Sequence, residues 1–220
     1  MANVLITGAN RGIGLALTQQ FIKRNDTVFA VCRHPSPELE KSGATIISGV
    51  NMTEPAGFQR VQEALGKNTI DILINNAGVL GNETINDMDC NRMMYQFQVN
   101  ALAPVVFTQF LLSQLAQHAK IVMITSRMGS MADNGSGGYY GYRMSKAALN
   151  AGAVSLANDL KASGFSVAIL HPGFVQTDMV GGAGDVSAEQ SAQGLVERID
   201  QLSIDNTGTF WHANGDVLPW

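Results

Sequence analysis

The sequence has 220 residues, 45% hydrophobic and 15% charged, and 14 Lys and Arg against 18 Asp and Glu leave a formal net charge of −4. A chain of this size can bury a full core without disulfide or metal staples, and with no linker in view a single domain, 1–220, is expected. The apolar fraction argues against disorder, and the missing basic surplus argues against nucleic-acid binding through bulk electrostatics.

In chain order, short apolar runs recur at Val4–Ile6, Thr27–Val31, Thr45–Ile47, Ile70–Ile74, Ile121–Ile124 and Ser166–Leu170. Between them lies helical spacing: Ile13, Leu17, Phe21 and Ile22 share one face, as do Phe58, Val61, Ala64 and Leu65. Continuous rather than alternating apolar strands imply burial on both faces, as in a parallel sheet covered by helices. The repeat of strand and helix therefore predicts an α/β, doubly wound fold. Two irregular stretches stand out, Met131–Gly138 and the glycine-rich Val180–Val186, the second expected to be mobile. Both follow strands at the carboxyl edge of the sheet, where open α/β folds bind ligands.

Cys32 and Cys90 lie far apart and His34, His118, His171 and His212 are scattered, so neither a disulfide framework nor a metal site is expected. No run approaches the ~18 apolar residues of a membrane span, and the chain enters its first strand with no room for a leader. A soluble, cytoplasmic protein with no membrane partner is the expectation.

The first strand closes on Thr7-Gly8-Ala9-Asn10-Arg11-Gly12-Ile13-Gly14 and opens a helix. Glycines there allow a tight turn and let backbone N–H groups approach a phosphate at the positive end of the helix. Where an NAD-type site places an acid after the second strand, this chain reads Val31-Cys32-Arg33-His34. Arg33 and Arg11 could flank a 2′-phosphate that an acid would repel, which argues for NADPH over NADH.

Tyr142 and Lys146 stand at i and i+4 in a segment rich in good helix formers, within reach of each other or of a shared ligand. A nearby ammonium lowers a phenol's pKa toward working pH. Ser126 ends the fifth strand and offers a hydroxyl at the same edge. No Gly-x-Ser-x-Gly elbow supports a serine hydrolase, His171 reads as structural, and the methionines read as core or pocket lining.

These features, with Asn75-Asn76-Ala77-Gly78, Asn100 at the opening of a long helix, Pro172-Gly173 and Thr177, resemble the classical short-chain dehydrogenase/reductase family from end to end. The wording from Gly137 to Asn150 and the short tail resemble its carbonyl reductases of the Sniffer and C-factor type. The resemblance implies a seven-stranded Rossmann sheet in order 3-2-1-4-5-6-7 and reduction of a small-molecule carbonyl, an aldehyde, ketone or quinone. It implies Tyr142 as proton donor, Lys146 as pKa modulator and ribose ligand, and Ser126 as the group that polarises the substrate oxygen. Asn100 would hold a water linking Lys146 to solvent, although a lone Asn also caps helices well. Cofactor contacts would come from Gly8, Asn10, Arg11, Gly12, Ile13, Gly14, Arg33, Asn51, Met52, Asn75, Ala77, Gly78, Pro172, Gly173, Val175 and Thr177. Asn51 stands where the family often has an Asp. The interval from Ser126 to Tyr142 is longer than in many members, so 131–138 is expected to bulge beside the pocket. The segment after Thr177 is short, which implies an open cleft. Apolar residues on several helix faces, Val105 to Leu112 and Ala147 to Leu156, predict a homodimer or homotetramer. The competing reading is a Rossmann protein that senses NADPH without turnover.

Overall fold

In a computed structural model that describes all 220 residues, helices and strands alternate along the whole chain. The order is β1 (Asn3–Thr7), α1 (Gly12–Lys23), β2 (Thr27–Val31), α2 (Pro37–Glu40), β3 (Thr45–Ile47), α3 (Pro55–Leu65) and β4 (Ile70–Asn75). There follow α4 (Cys90–Phe97), a π-helical turn (Gln98–Leu102), α5 (Ala103–Leu111), β5 (Leu115–Ile124), α6 (Tyr140–Lys161), β6 (Ser166–His171), α7 (Ala188–Gln201) and β7 (Phe210–His212). All strand pairs are parallel, and the sheet runs β3-β2-β1-β4-β5-β6-β7. The expected order and doubly wound class are therefore observed.

Strand periodicity sorts the core into two layers. Leu5, Phe29, Leu73, Ile121 and Val167 point to one side, against Phe58 and Val61 of α3, Phe107 and Leu111 of α5, and Leu149 and Ala153 of α6. Their neighbours Val4, Ile6, Val28, Ile72, Ile74, Val122 and Ala168 point to the other, against Leu17 and Phe21 of α1 and Leu195 and Ile199 of α7. Because both faces are covered, nearly every strand residue can be apolar, which is the pattern in the sequence. Reversal of strand order between β1 and β4 opens a crevice at the carboxyl edge.

Two expectations are corrected. Asn100 does not open a helix: the helix starts at Asp89, whose side chain caps the Asn91 and Arg92 N–H groups, and Asn100 lies in the π turn. The 131–138 loop does not border the cleft. Arg127 holds Asp133 at 2.6 Å, and the Ala132 N–H donates to the Trp220 carbonyl at 3.0 Å, which draws the loop toward the chain's end. The 180–186 segment is hydrogen-bonded to the chain before it from both ends: the Gly182 N–H donates to the Thr177 carbonyl at 2.9 Å and the Asp185 N–H to the Phe174 carbonyl at 2.7 Å. Cys32 is buried and Cys90 exposed, both free, and no group of side chains could hold a metal. No helix is long and apolar enough to cross a membrane.

Candidate active site

The crevice at the switch point is a cleft of about 540 Å³. One end is formed by the turn between β1 and α1. Gly8 (φ 67°) and Gly12 (φ 54°) adopt left-handed backbone that favours glycine. At Gly14 a Cβ would stand 2.2 Å from the Gly8 carbonyl oxygen, so any side chain would push the helix off the turn. Arg11, the residue before α1, makes no side-chain cap, and the first turn carries no acid. The N–H groups at this helix start are thus left to an anion, as the cradle for a dinucleotide's phosphates requires.

Fifteen of the cofactor residues named from the sequence line the cleft: Gly8, Asn10, Arg11, Gly12, Ile13, Gly14, Arg33, Asn51, Met52, Ala77, Gly78, Tyr142, Lys146, Pro172 and Thr177. Gly173 and Val175 do not. Asn75 does not either; it is buried, and its Nδ2 donates to Thr108 Oγ1 on α5 at 3.1 Å. The asparagine that builds the site is the next one. Asn76 Nδ2 donates to the Thr7 and Gly8 carbonyls at 2.9 and 3.2 Å, clamping the end of β4 to the glycine turn. Asn51 lines the cleft with its amide engaged locally, donating to Glu54 Oε1 at 2.6 Å and accepting from Thr53. Arg11 is shared with Asp178 across the cleft at 3.4 Å, an exposed pair worth little. Arg33 lines the far end without an ion pair, beside His34, which sequence reasoning did not single out.

At the other end, α6 presents Tyr142 and Lys146 to the cleft from successive turns. Lys146 Nζ donates to the Ile124 carbonyl at 2.9 Å and stands 5.8 Å from the centroid of the Tyr142 ring. Burial lowers the Lys146 pKa to about 8. Burial raises the Tyr142 pKa, an effect that the neighbouring Ser126 hydroxyl opposes but does not cancel. The phenol is therefore held protonated rather than shifted toward phenolate, contrary to the expected lowering by Lys146. Ser126 Oγ accepts from the Met128 N–H at 3.1 Å, leaving its own proton free to donate.

Asn100 does not line the cleft, but it shapes the wall. Its Oδ1 accepts from the Val79 N–H and its Nδ2 donates to the Val79 carbonyl, both at 2.8 Å, and Nδ2 also donates to Ser145 Oγ at 3.0 Å. That locks the strand-end segment 77–79 to α6, which Thr125 fixes again through a 2.6 Å bond to Asn150 Oδ1. Val79, Tyr95, Gln176 and Met179 also line the cleft; they come from three separate segments, so no local motif announces them. His171 is partly buried beside His212, ring centroids 4.9 Å apart, and its pKa falls to about 3 through desolvation and that neighbour, so it stays neutral in line with a structural role.

Comparison with known proteins points to one family. The profile of the short chain dehydrogenase family matches residues 2–188. A 1-hydroxy-2-glutathionyl-2-methyl-3-butene dehydrogenase of Rhodococcus sp. is 34% identical over the full length of both chains. The C-signal protein of Myxococcus xanthus is 44% identical over 69% of this chain and 93% of its own. An NADPH-bound carbonyl reductase from chicken fatty liver superposes with a TM-score of 0.91 at 31% identity, covering 100% of this chain and 99% of that one.

Proposed function

The chain belongs to the short-chain dehydrogenase family, and from that premise we propose that it is an NADPH-dependent reductase of aldehydes, ketones or quinones. The observation that carries this reading is the meeting of Tyr142, with Ser126 beside it, and Lys146 at one end of a cleft whose other end is an uncapped, glycine-rich helix start. When bound, the nicotinamide supplies a hydride to the carbonyl carbon. Ser126 donates its free proton as a hydrogen bond to the carbonyl oxygen and sets its position. Tyr142, protonated at neutral pH, passes its proton to that oxygen as negative charge develops. Lys146, charged below about pH 8, stabilises the phenolate left behind and holds the ribose. Asn100 keeps the wall at Val79 in register with α6, and the reduced setting of Cys32 and Cys90 suits the cytoplasm. A sequential panel of aldehydes, ketones and quinones, followed by NADPH absorbance, tests the reaction class; no turnover with any of them would refute it.

Arg33 is the residue proposed to select NADPH, because it lines the cleft after β2 with no acidic partner. A charge-assisted contact is worth ~1.5–3 kcal/mol, so Arg33→Ala is expected to weaken NADPH binding by roughly tenfold or more and to leave NADH nearly unchanged. Titration of both cofactors against both proteins checks this, and equal losses for the two would assign Arg33 a different role.

The chain is further proposed to assemble as a homodimer or homotetramer. Phe97, Leu102 and Val106 remain 40%, 51% and 40% exposed along the α4–α5 stretch, and Met144 on α6 is 60% exposed. An apolar surface of this kind is covered most simply by its own copy. Sedimentation at micromolar concentration is expected to give a dimer or tetramer; a monomer would contradict it.

A further inference from the structure

Glu83 has no part in the chemistry above, yet its side chain is 0% exposed although it lies in irregular chain between β4 and α4. Its Oε1 accepts from Arg92 Nε at 2.6 Å and from Gln96 Nε2 at 2.8 Å. Gln96 is itself buried and turns its Oε1 to the Gly81 N–H at 2.8 Å. The Glu83 carbonyl accepts from the N–H of Tyr139, the residue before α6, at 2.7 Å. Glu83 Oε2 is buried with no hydrogen-bond partner, and a Cβ on Gly141 would stand 3.1 Å from it. The free oxygen of an anion thus faces the first turn of α6, one residue before Tyr142.

That turn lacks its own stabilising groups. Tyr139 is left-handed (φ 52°), no side chain caps the helix, and there is no acid in its first turn. A helix start carries unpaired N–H groups and the positive end of the dipole, and favours an anion beside it. Burial opposes charge on Glu83, but the hydrogen bonds from Arg92 and Gln96 outweigh it and hold the carboxyl below its ordinary range.

We propose that Glu83 is a positioning residue for the reaction: its carboxylate, gripped by Arg92 and Gln96, supplies from outside α6 the negative charge its first turn lacks and so fixes Tyr142 against Ser126. This rests on Tyr142 being the proton donor. Glu83→Gln keeps shape, and with its amide oxygen in the place of Oε1 it still accepts from Arg92 and Gln96, but it loses the charge and turns an NH₂ donor, in the place of Oε2, toward the first turn of α6. Small misplacement of a reacting group is costly, so kcat is expected to fall by at least about tenfold while the Kd for NADPH stays within about twofold. Amide exchange should accelerate at residues 139–143 and not in β1 or β4. In the double variant Glu83→Gln, Arg92→Met the orphaned guanidinium is gone, so thermal stability should recover while kcat stays low. Recovery of kcat together with stability would reduce Glu83 to a structural role, and unchanged exchange at 139–143 would overturn the proposal outright. If the wild type turns over no carbonyl, the exchange measurement still decides what Glu83 does, and the failure belongs to the proton-donor reading.

Discussion

Tyr142→Phe is expected to lower carbonyl reduction by ~10²–10⁴-fold, the usual worth of a general acid, with NADPH affinity almost unchanged. The substitution keeps the ring between α6 and the cleft and removes only the hydroxyl. Lys146 remains bonded to the Ile124 carbonyl at 2.9 Å, and the glycine turn and Arg33 lie at the other end of the cleft. Burial raises the phenol pKa, so at neutral pH its proton is present to be given. Ser126 beside it also carries a hydroxyl, but a serine alcohol is a far weaker acid than a phenol and cannot substitute for it. Steady-state rates and a cofactor titration on the same two proteins separate chemistry from binding.

Lys146→Met should do two opposite things: remove most of the activity, and stabilise the fold. The amine is buried, and its pKa falls from 10.5 to about 8. Between those values the unfolded chain binds the proton that the folded chain has lost, so stability rises with pH through that window. Below about pH 8 both states are protonated and the full penalty stands, about 3 kcal/mol for a shift of that size. Loss of the bond to the Ile124 carbonyl takes back roughly 1 kcal/mol, so a net gain of about 2 kcal/mol is expected at neutral pH. For a chain of this size that is a rise in Tm of roughly 4–8 °C. The gain should shrink as pH approaches 10.5, and thermal melts from pH 6 to 10 would follow it. A variant that melts lower at pH 7 would mean the amine contributes more through contacts than its burial costs. Such a site trades stability for function.

The contrast between legible and illegible parts has physical causes. The six strands are readable from their apolar runs; β7, Phe210–His212, is as short as β3 but has no aliphatic run, only one buried residue beside the part-buried Trp211 and His212. The first half of β5, with Gln117 and His118 exposed, resembles a polar connection. Asn100 with Pro104 after it imitates a helix start, since Asn caps and Pro suits a first turn. The helix instead runs through, widening to a π turn where Pro104 has no N–H to return to the Asn100 carbonyl. Asn75 could have been placed by alternation, because it shares the face of Leu73 and that face packs on α5. Tyr142, Lys146 and Ser126 are legible because an i, i+4 pair and a strand end are local features. Asn76 on the glycine turn and Glu83 beneath α6 are not, since each acts on a segment more than fifty residues away.

Reduction of simple aldehydes and ketones with NADPH deuterated at the transferring carbon tests the proposed hydride transfer most directly. Deuterium is predicted to appear at the carbinol carbon of the product in step with NADPH oxidised, and Tyr142→Phe is predicted to slow that transfer by at least about a hundredfold. Tight, stoichiometric NADPH binding with no deuterium reaching any carbonyl would contradict it and leave a protein that senses the cofactor without using it.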